Sequence, residues 1–190
     1  MTNSEEALVR SARDGDRAAF EELVRRTSRL LFARLYLETG DEHRAEDLLQ
    51  ETFLIAFRSV RDLAEPGGFR AWLLKIAQNV AIDAGRRDRR KKRAGATGNA
   101  TLTEVAAREP TPYAHVEREE LRGKVLAVLR SLPEEYRLPL TLRYIGGADY
   151  ETIQMQMGLS NGSLRGLLHR GLKLLRERLP PDFANSTEGD

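Results

Sequence analysis

Apolar residues recur at helical spacing along most of the chain, and the clearest stretch runs from residue 42 to residue 60. There the apolar and small residues fall at i, i+3 and i+4 intervals, the pattern of an amphipathic helix. They are Ala45, Leu48, Leu49, Thr52, Phe53, Ala56, Phe57 and Val60. Polar side chains occupy the opposite face. This stretch is therefore predicted to be a helix with one buried side and one polar side.

Two amphipathic patterns precede this stretch. Ser4 is predicted to cap a short helix that ends at Arg13, and a longer helix is predicted over residues 17–38. Gly40 suits the left-handed position that closes a helix, and Asp41 can cap the helix that follows. The first part of the chain is thus predicted to be a compact group of helices.

A fourth pattern begins at Phe69, after a Pro-Gly-Gly break, and leads directly into a run of positive charge. Phe69 and Trp72 share one stripe, a helical spacing that favours core packing over stacking on nucleic-acid bases. Seven of the ten residues from 84 to 93 are Arg or Lys, although the net charge of the chain is only +2. Such a cluster is typical of a surface that binds a polyanion; a solvated helix end is the alternative.

Helical periodicity stops in residues 94–116, where Gly, Thr, Ala and Pro dominate. This composition predicts a flexible linker. At ~3.3–3.6 Å per residue its reach is at most ~76–83 Å. Two turns of duplex DNA measure about 68 Å, so a linker of this length allows two modules to contact separate stretches of one DNA.

A second helical domain is predicted over residues 117–179. Pro133 suits the first turn of one of its helices. A short helix, a turn centred on Gly158 and a longer helix opening at Ser160 then form a helix-turn-helix, whose second helix enters the major groove of DNA. The predicted fold is therefore all-α: two helical domains, residues 1–93 and 117–179, joined by a flexible linker and followed by a flexible tail, residues 180–190.

The composition, 41% hydrophobic and 32% charged, is typical of a soluble helical protein, and no apolar run is long enough to cross a bilayer. The first residues lack an export signal and the chain has no cysteine, so a cytoplasmic location is expected. The three histidines, His43, His115 and His169, lie in separate segments without metal-ligand spacing. The sequence predicts neither an enzyme nor a protein with a cofactor.

Three sequence segments together resemble a known family. AEDLLQETF and FRAWLLKIAQNVAID, followed by the basic run, are similar to conserved region 2 of extracytoplasmic-function sigma factors. These are small bacterial subunits that direct RNA polymerase to promoters. LPEEYRLPLTLRY, followed by the helix-turn-helix, is similar to region 4 of the same family, which binds the upstream promoter element. The resemblance covers residues 5–178 and implies a sigma factor that also assists DNA melting.

The resemblance implies that the polar face of helix 42–60 binds the clamp helices of the largest polymerase subunit. Asp47, Gln50 and Glu51 are the expected contact residues. Leu54 and Ile55 lie off the buried stripe, which would give this surface the apolar centre and polar rim of a protein interface. A merely solvated helix face is the alternative.

Contacts with the downstream promoter element are expected from residues 59–68, the loop in which the family captures an unstacked base, and from Asn79. The basic cluster is expected to contact phosphates through Arg86, Arg87, Arg89 and Arg90. Phosphate contacts position a protein on DNA and make its affinity depend on salt.

The upstream element is expected to contact the second helix of the helix-turn-helix, where GSLRGLLHRGLKLL resembles the recognition helix of the family. The expected contact residues are Ser163, Arg165, His169 and Arg170. Departures from the pattern occur at Gln154, Gly166, Leu167, Gly171 and Leu172. These departures bear on how the upstream element is read.

Two other functions account for parts of the sequence. A stand-alone helix-turn-helix regulator would be a dimer and bind duplex without polymerase. An interaction module with degenerate DNA reading would bind polymerase but not open promoters. The resemblance also implies an anti-sigma factor as a regulator, with no insertion of this chain into a membrane.

Overall fold

The computed structural model describes residues 4–94, 125 and 127–179, and all regular elements within these residues are helical. The first domain contains four α-helices in the predicted places, and two single 3₁₀ turns connect the third helix to the fourth. The helices are α1 (Glu5–Arg13), α2 (Arg17–Thr39), α3 (Glu42–Ser59) and α4 (Phe69–Ala94), and the turns are Val60–Asp62 and Pro66–Gly68.

The helix ends follow the sequence signals. The Ser4 side chain accepts a hydrogen bond from the backbone N of Ala7 at 3.2 Å, and Asp41 accepts one from the backbone N of Arg44 at 2.8 Å. Gly40 ends α2 with φ of 69°, a left-handed conformation that glycine adopts without strain. The predicted caps are confirmed.

The second domain forms the predicted helix-turn-helix. Residues 127–131 are helical, and the longer elements are α5 (Glu134–Leu140), a π-helical turn (Thr141–Ile145), α6 (Tyr150–Met157) and α7 (Asn161–Arg178). Gly158, with φ of 65°, makes the turn between α6 and α7. Pro133 lies one residue earlier than predicted: its extended backbone, with ψ of 145°, makes it the residue before α5 rather than part of its first turn.

Apart from Ala94, which ends α4, the predicted linker lies outside the described residues, as does the predicted tail. The buried apolar side chains of α1–α4 and of the second domain form one contiguous core. Phe69, Leu73 and Leu31 are at most 1% exposed in the first domain, and Ile153 and Leu164 are fully buried in the second. The two domains therefore pack against each other.

One close approach between the domains is at Gly146. A Cβ atom at this position would lie 2.8 Å from Leu30 Cδ1 and 3.3 Å from Leu30 Cα, so only glycine fits without a shift of its neighbours. Beside it, Arg29 Nε donates to the backbone oxygen of Ile145 at 2.7 Å. The π-helical turn of the second domain thus rests on α2 of the first.

A second contact joins α4 to α6. Gln156 Nε2 donates to Gln78 Oε1 at 3.4 Å. Asp149, which caps α6 by accepting from the Thr152 backbone N at 2.7 Å, also interacts with the charge of Arg70 on α4. Burial acts to raise the pKa of Asp149, but the Thr152 hydrogen bonds and Arg70 outweigh it, and the pKa lies below its ordinary value.

One residue of the predicted buried stripe differs. Phe57 is 44% exposed, since it lies at the side of α3 rather than at its centre. Its ring packs edge-on against the ring of Phe20 on α2, with ring centroids 5.1 Å apart. The period of the helix alone could not place this boundary residue.

Candidate protein- and nucleic-acid-binding surfaces

The polar face of α3 points away from the core, as predicted. Because α3 buries Ala45, Leu48, Thr52 and Ala56, the opposite side is left to solvent. Asp47 and Gln50 are exposed and Glu51 is half-buried. Beside them Leu54 is 58% exposed and Ile55 is 38% exposed. We call these five residues, Asp47, Gln50, Glu51, Leu54 and Ile55, the α3 surface.

The α3 surface borders the basic end of α4 directly. Arg87 Nη2 lies 3.1 Å from Glu51 Oε2, and two turns earlier on α3 Arg44 pairs with Asp88 of α4. Neither ion pair was predicted, because each joins residues far apart in the sequence and depends on how α3 and α4 cross. The two candidate surfaces therefore share charged residues along the line where α3 and α4 meet, which we call the seam.

An open cleft of about 840 Å³ lies in this seam between the end of α2, α3 and α4. Asp47 lines it from the α3 side, and Arg86 and Arg89 line it from the α4 side. Ile82, which is 45% exposed, also lines the cleft. The cleft thus brings an expected polymerase contact and two expected phosphate contacts to one place.

The basic cluster is partly paired. Arg86 lies 3.4 Å from Asp83, and Arg87 is held by Glu51. Arg89 and Arg90 are exposed and form no ion pair within the residues that the structure describes. The two unpaired guanidinium groups are the ones most available to phosphate. Asn79 is also exposed, and it lies on the same helix before Arg86, the first arginine of the cluster.

The aromatic pair at the start of α4 belongs mainly to the core. Phe69 is 1% exposed and Trp72 is half-buried, with their ring centroids 5.8 Å apart. Arg70, between them, anchors this end of α4 to α1 by donating from Nε to Glu5 at 2.9 Å. Hydrogen bonding to Glu5 raises the pKa of Arg70 above its ordinary value. Phe69 lies in the core, and Trp72, for which core packing was favoured, is partly buried and packs against the core.

The expected upstream contacts are all exposed on α7. Leu164 and Leu168 are buried and attach α7 to its own domain, which leaves Arg165, His169 and Arg170 exposed. Ser163 is exposed as well, but its hydroxyl lies 2.9 Å from that of Ser160 at the helix cap. Ser163 therefore has a local role at the helix start in addition to its expected contact.

One departure from the family pattern has a structural reason. Gly171 is buried, and a Cβ atom there would lie 3.0 Å from Leu140 Cδ1 and 3.2 Å from Tyr136 Cβ. Glycine allows α7 to approach α5 closely. At Gly166, in contrast, a Cβ atom would meet only Arg170 Nη1, at 3.3 Å, so packing does not require glycine there.

Residues 4–94, 125 and 127–179 contain no group of three or more His, Cys, Asp or Glu side chains that could hold a metal ion. Among the helices of the same residues, none is long and apolar enough to span a membrane.

Comparison with known families gives two matches. The family Sigma-70 region 2 matches residues 23–91, and the family Sigma-70, region 4 matches residues 122–175. The first match contains α3 and α4 with their shared seam, and the second contains the helix-turn-helix.

Three relatives cover most of this chain. It is 36% identical to the ECF RNA polymerase sigma factor SigE of Mycolicibacterium smegmatis, over 87% of this chain and 64% of that protein. It is 36% identical to the RNA polymerase sigma factor CarQ of Myxococcus xanthus, over 88% of this chain and 92% of CarQ. It is 30% identical to the ECF RNA polymerase sigma-E factor of Escherichia coli strain K12, over 94% of this chain and 95% of that protein.

Two solved structures share the fold. CnrH, in complex with the cytosolic domain of CnrY, matches with a TM-score of 0.65 at 23% identity, over 92% of this chain and 96% of that one. RpoE from Bartonella quintana, in complex with the anti-sigma factor NepR, matches with a TM-score of 0.56 at 22% identity, over 83% and 93%. Together with the full-length relatives, the two family matches place this chain among the extracytoplasmic-function sigma factors, the subunits that direct RNA polymerase to promoters.

Proposed function

We propose that the two domains divide promoter recognition between them. The first domain docks on core polymerase and opens the downstream element, and the second domain anchors the upstream element. The observation that carries this proposal is the α3 surface, where exposed Leu54 and Ile55 lie beside exposed acidic and amide side chains. An exposed apolar centre with a polar rim is typical of a protein interface.

Docking is assigned to Asp47, Gln50 and Glu51, which face the clamp helices of the largest polymerase subunit. A carboxylate pair with an adjacent amide suits a partner surface that carries Arg or Lys. Opposite charges across an interface steer association and suppress wrong partners. The apolar pair at Leu54 and Ile55 then supplies the area that is removed from water.

Downstream, Asn79 and the loop 59–68 are assigned to the unstacked base, and Arg86, Arg87, Arg89 and Arg90 to phosphates. An amide such as that of Asn79 both donates and accepts hydrogen bonds, so it can match a base edge. Releasing a base from its stack costs a few kcal/mol. Phosphate contacts by Arg89 and Arg90, which have no internal ion pair within the described residues, offset part of this cost.

Upstream, Arg165 and His169 are assigned to base edges, with Ser163 and Arg170 beside them. Arg165 and His169 lie four residues apart and therefore on one face of α7. Arg can donate two hydrogen bonds to the major-groove edge of guanine. Arg170 on the same exposed side suits a phosphate contact.

The chain is proposed to act in the cytoplasm, without a cofactor and without catalysing a reaction itself, since RNA synthesis belongs to the polymerase. An anti-sigma factor is the proposed regulator. RpoE of Bartonella quintana is bound by such a protein, and its fold is similar to that of this chain.

Run-off transcription tests the proposal. Core polymerase is supplied with a genomic promoter library, with and without this protein, and core binding is measured in parallel. Discrete transcripts that depend on the protein are expected. Core binding without transcripts would favour the interaction module, and specific duplex binding without either activity would favour a stand-alone regulator.

A further inference from the structure

A polar cavity of about 280 Å³ lies between α2 of the first domain and the start of the second domain. Its lining comes from both domains: Arg34, Leu37 and Glu38 on one side, and Arg130, Glu134, Arg137 and Leu138 on the other. Three arginines and two glutamates thus line one small space. The cavity has an excess of positive charge.

Arg34 is the unusual member of this group. Arg34 is only 5% exposed, and its Nε has no hydrogen-bond partner within the described residues. Burial lowers the pKa of Arg34, opposed by the charges of Glu38 and Glu134. A buried guanidinium with an unpaired N–H is costly, because it has lost water without a full set of acceptors.

The other two arginines are also incompletely paired. Arg137 Nη1 donates to the backbone oxygen of Arg130 at 3.3 Å, and neither side chain forms an ion pair with a carboxylate in the residues that the structure describes. The single ion pair at the cavity joins Arg34 Nη2 to Glu38 Oε1 at 2.9 Å. Within the described residues, the carboxylates at the cavity thus form an ion pair with one of the three arginines.

We propose that this cavity binds a small dianion of the phosphate class and that the bound anion holds the two domains together. Three acceptor oxygens on one centre suit a set of guanidinium donors. The volume admits a phosphate or pyrophosphate group, and a nucleoside attached to it would extend outside the cavity. Arg34 belongs to the first domain, and Arg130 and Arg137 to the second, so an anion that contacts both favours the packed arrangement.

The consequence for promoter binding follows from linkage and rests on the proposed function. Domains in contact cannot occupy elements about two duplex turns, or ~68 Å, apart. A ligand that binds only the packed arrangement shifts the population towards it. The anion would therefore reduce promoter engagement while leaving the α3 surface, which lies outside this cavity, free for polymerase.

The first test is calorimetric titration of the full chain, in phosphate-free buffer, with inorganic phosphate, pyrophosphate and adenosine monophosphate. Sodium chloride at equal ionic strength controls for screening. The variant is Arg137→Gln, and the matched control is Arg176→Gln, an exposed arginine on α7 outside the cavity. We expect saturable binding to the wild type and the control, and a loss of about tenfold in affinity in Arg137→Gln, the factor for one charged hydrogen bond.

Binding that is unchanged in Arg137→Gln would overturn the proposal, since the basic cluster of residues 86–93 would then hold the anion. A response equal to that of chloride would do the same. If all three ligands bind equally, the site recognises a terminal phosphate; if only the inorganic anions bind, it recognises the free anion. Circular dichroism and thermal unfolding of Arg137→Gln establish that the variant is folded.

The second test measures the contact between the domains. The chain has no cysteine, so cysteines introduced by Gln78→Cys and Gln156→Cys can be joined by a short bismaleimide. Phosphate is expected to raise the intramolecular cross-linking rate, and to lose this effect when Arg137→Gln is added. A rate that phosphate does not change would contradict bridging. Neither test requires polymerase, so either can fail independently of the proposed function.

Discussion

The two candidate DNA-binding regions differ in how their charges are held. At the end of α4, Arg87 is paired with Glu51 and Arg86 with Asp83. On α7, Arg165 and Arg170 are exposed and form no ion pair within the described residues. A partner that binds Arg86 or Arg87 must compete with internal carboxylates, whereas a partner of α7, like one that binds Arg89 or Arg90, meets guanidinium groups without such pairs.

This difference indicates two ways of positioning a binding surface. In the first domain, ion pairs across the seam of α3 and α4 link the expected polymerase contacts to the expected phosphate contacts, so binding at one can change the other. In the second domain, buried Leu164 and Leu168 hold α7 by apolar packing, and Arg178 at its end donates to the backbone oxygen of Ser131 at 2.6 Å. Its surface should therefore depend on the core and respond little to the α3 surface.

The largest expected effect comes from removing the apolar support of α7. Leu164→Ala, at a fully buried position, should lower the free energy of unfolding by ~2–5 kcal/mol, because it loses buried area and leaves a cavity. Leu54→Ala, at a position 58% exposed, should change it by less than about 0.5 kcal/mol. Urea denaturation measures both. Equal losses would contradict the assignment of Leu54 to a binding surface.

A smaller but more specific effect is expected at the α3 surface. Asp47→Lys or Glu51→Lys should weaken binding to core polymerase by about tenfold or more, because each reverses a charge that faces the partner. Glu21→Lys, on the exposed side of α2, is the matched control. Affinity is measured by competition for core polymerase, with circular dichroism as the check of folding. Wild-type affinity in both variants would remove these residues from the docking surface.

Two of the three glycines of α7, Gly166 and Gly171, should respond in opposite directions. Gly171→Ala forces a methyl group against Leu140 and Tyr136 and should destabilise the protein by ~1–3 kcal/mol. Gly166→Ala meets no neighbouring element and should stabilise it by up to ~1 kcal/mol through helix propensity. Thermal unfolding gives both signs. Stabilisation by both substitutions would show that Gly171 is not a packing position.

The smallest expected effect concerns pH. The pKa of Asp149 is lower in the folded chain than its ordinary value of 3.8, so the unfolded chain binds a proton more readily. The stability that Asp149 contributes is therefore complete above about pH 4 and is lost as the pH falls through the folded pKa. Asp149→Asn should reduce the acid sensitivity in this window, as measured by urea denaturation at several pH values. A steeper dependence in the variant would reverse the assigned sign.

Much of the fold could be predicted because its signals are local. Ser4, Asp41 and Gly40 fix helix ends through contacts within a few residues of the chain, and the spacing of apolar residues gives each helix its buried face. The error at Phe57 lies at the edge of such a face, where burial depends on the neighbouring α2. Pro133 shows a similar one-residue difference at a helix start.

The features that could not be predicted depend on how helices cross. Glu51 meets Arg87, and Gly146 meets Leu30, only after distant segments have packed. The same holds for Gly171. The sequence indicates only that a glycine lowers helix stability at this position, whereas the structure shows that it packs closely against Leu140 and Tyr136. The roles of Asp47, Asn79 and the other site residues stay predictions from the family resemblance, to be tested by the variants.

The most direct measurement of the division between the domains is run-off transcription on a randomised promoter library with Asn79→Ala and with Arg165→Ala. We expect Asn79→Ala to relax the sequence preference of the transcribed promoters at the downstream element alone. We expect Arg165→Ala to relax it at the upstream element alone. A change at both elements in either variant, or an unchanged preference in both, would contradict the assignment of one promoter element to each domain.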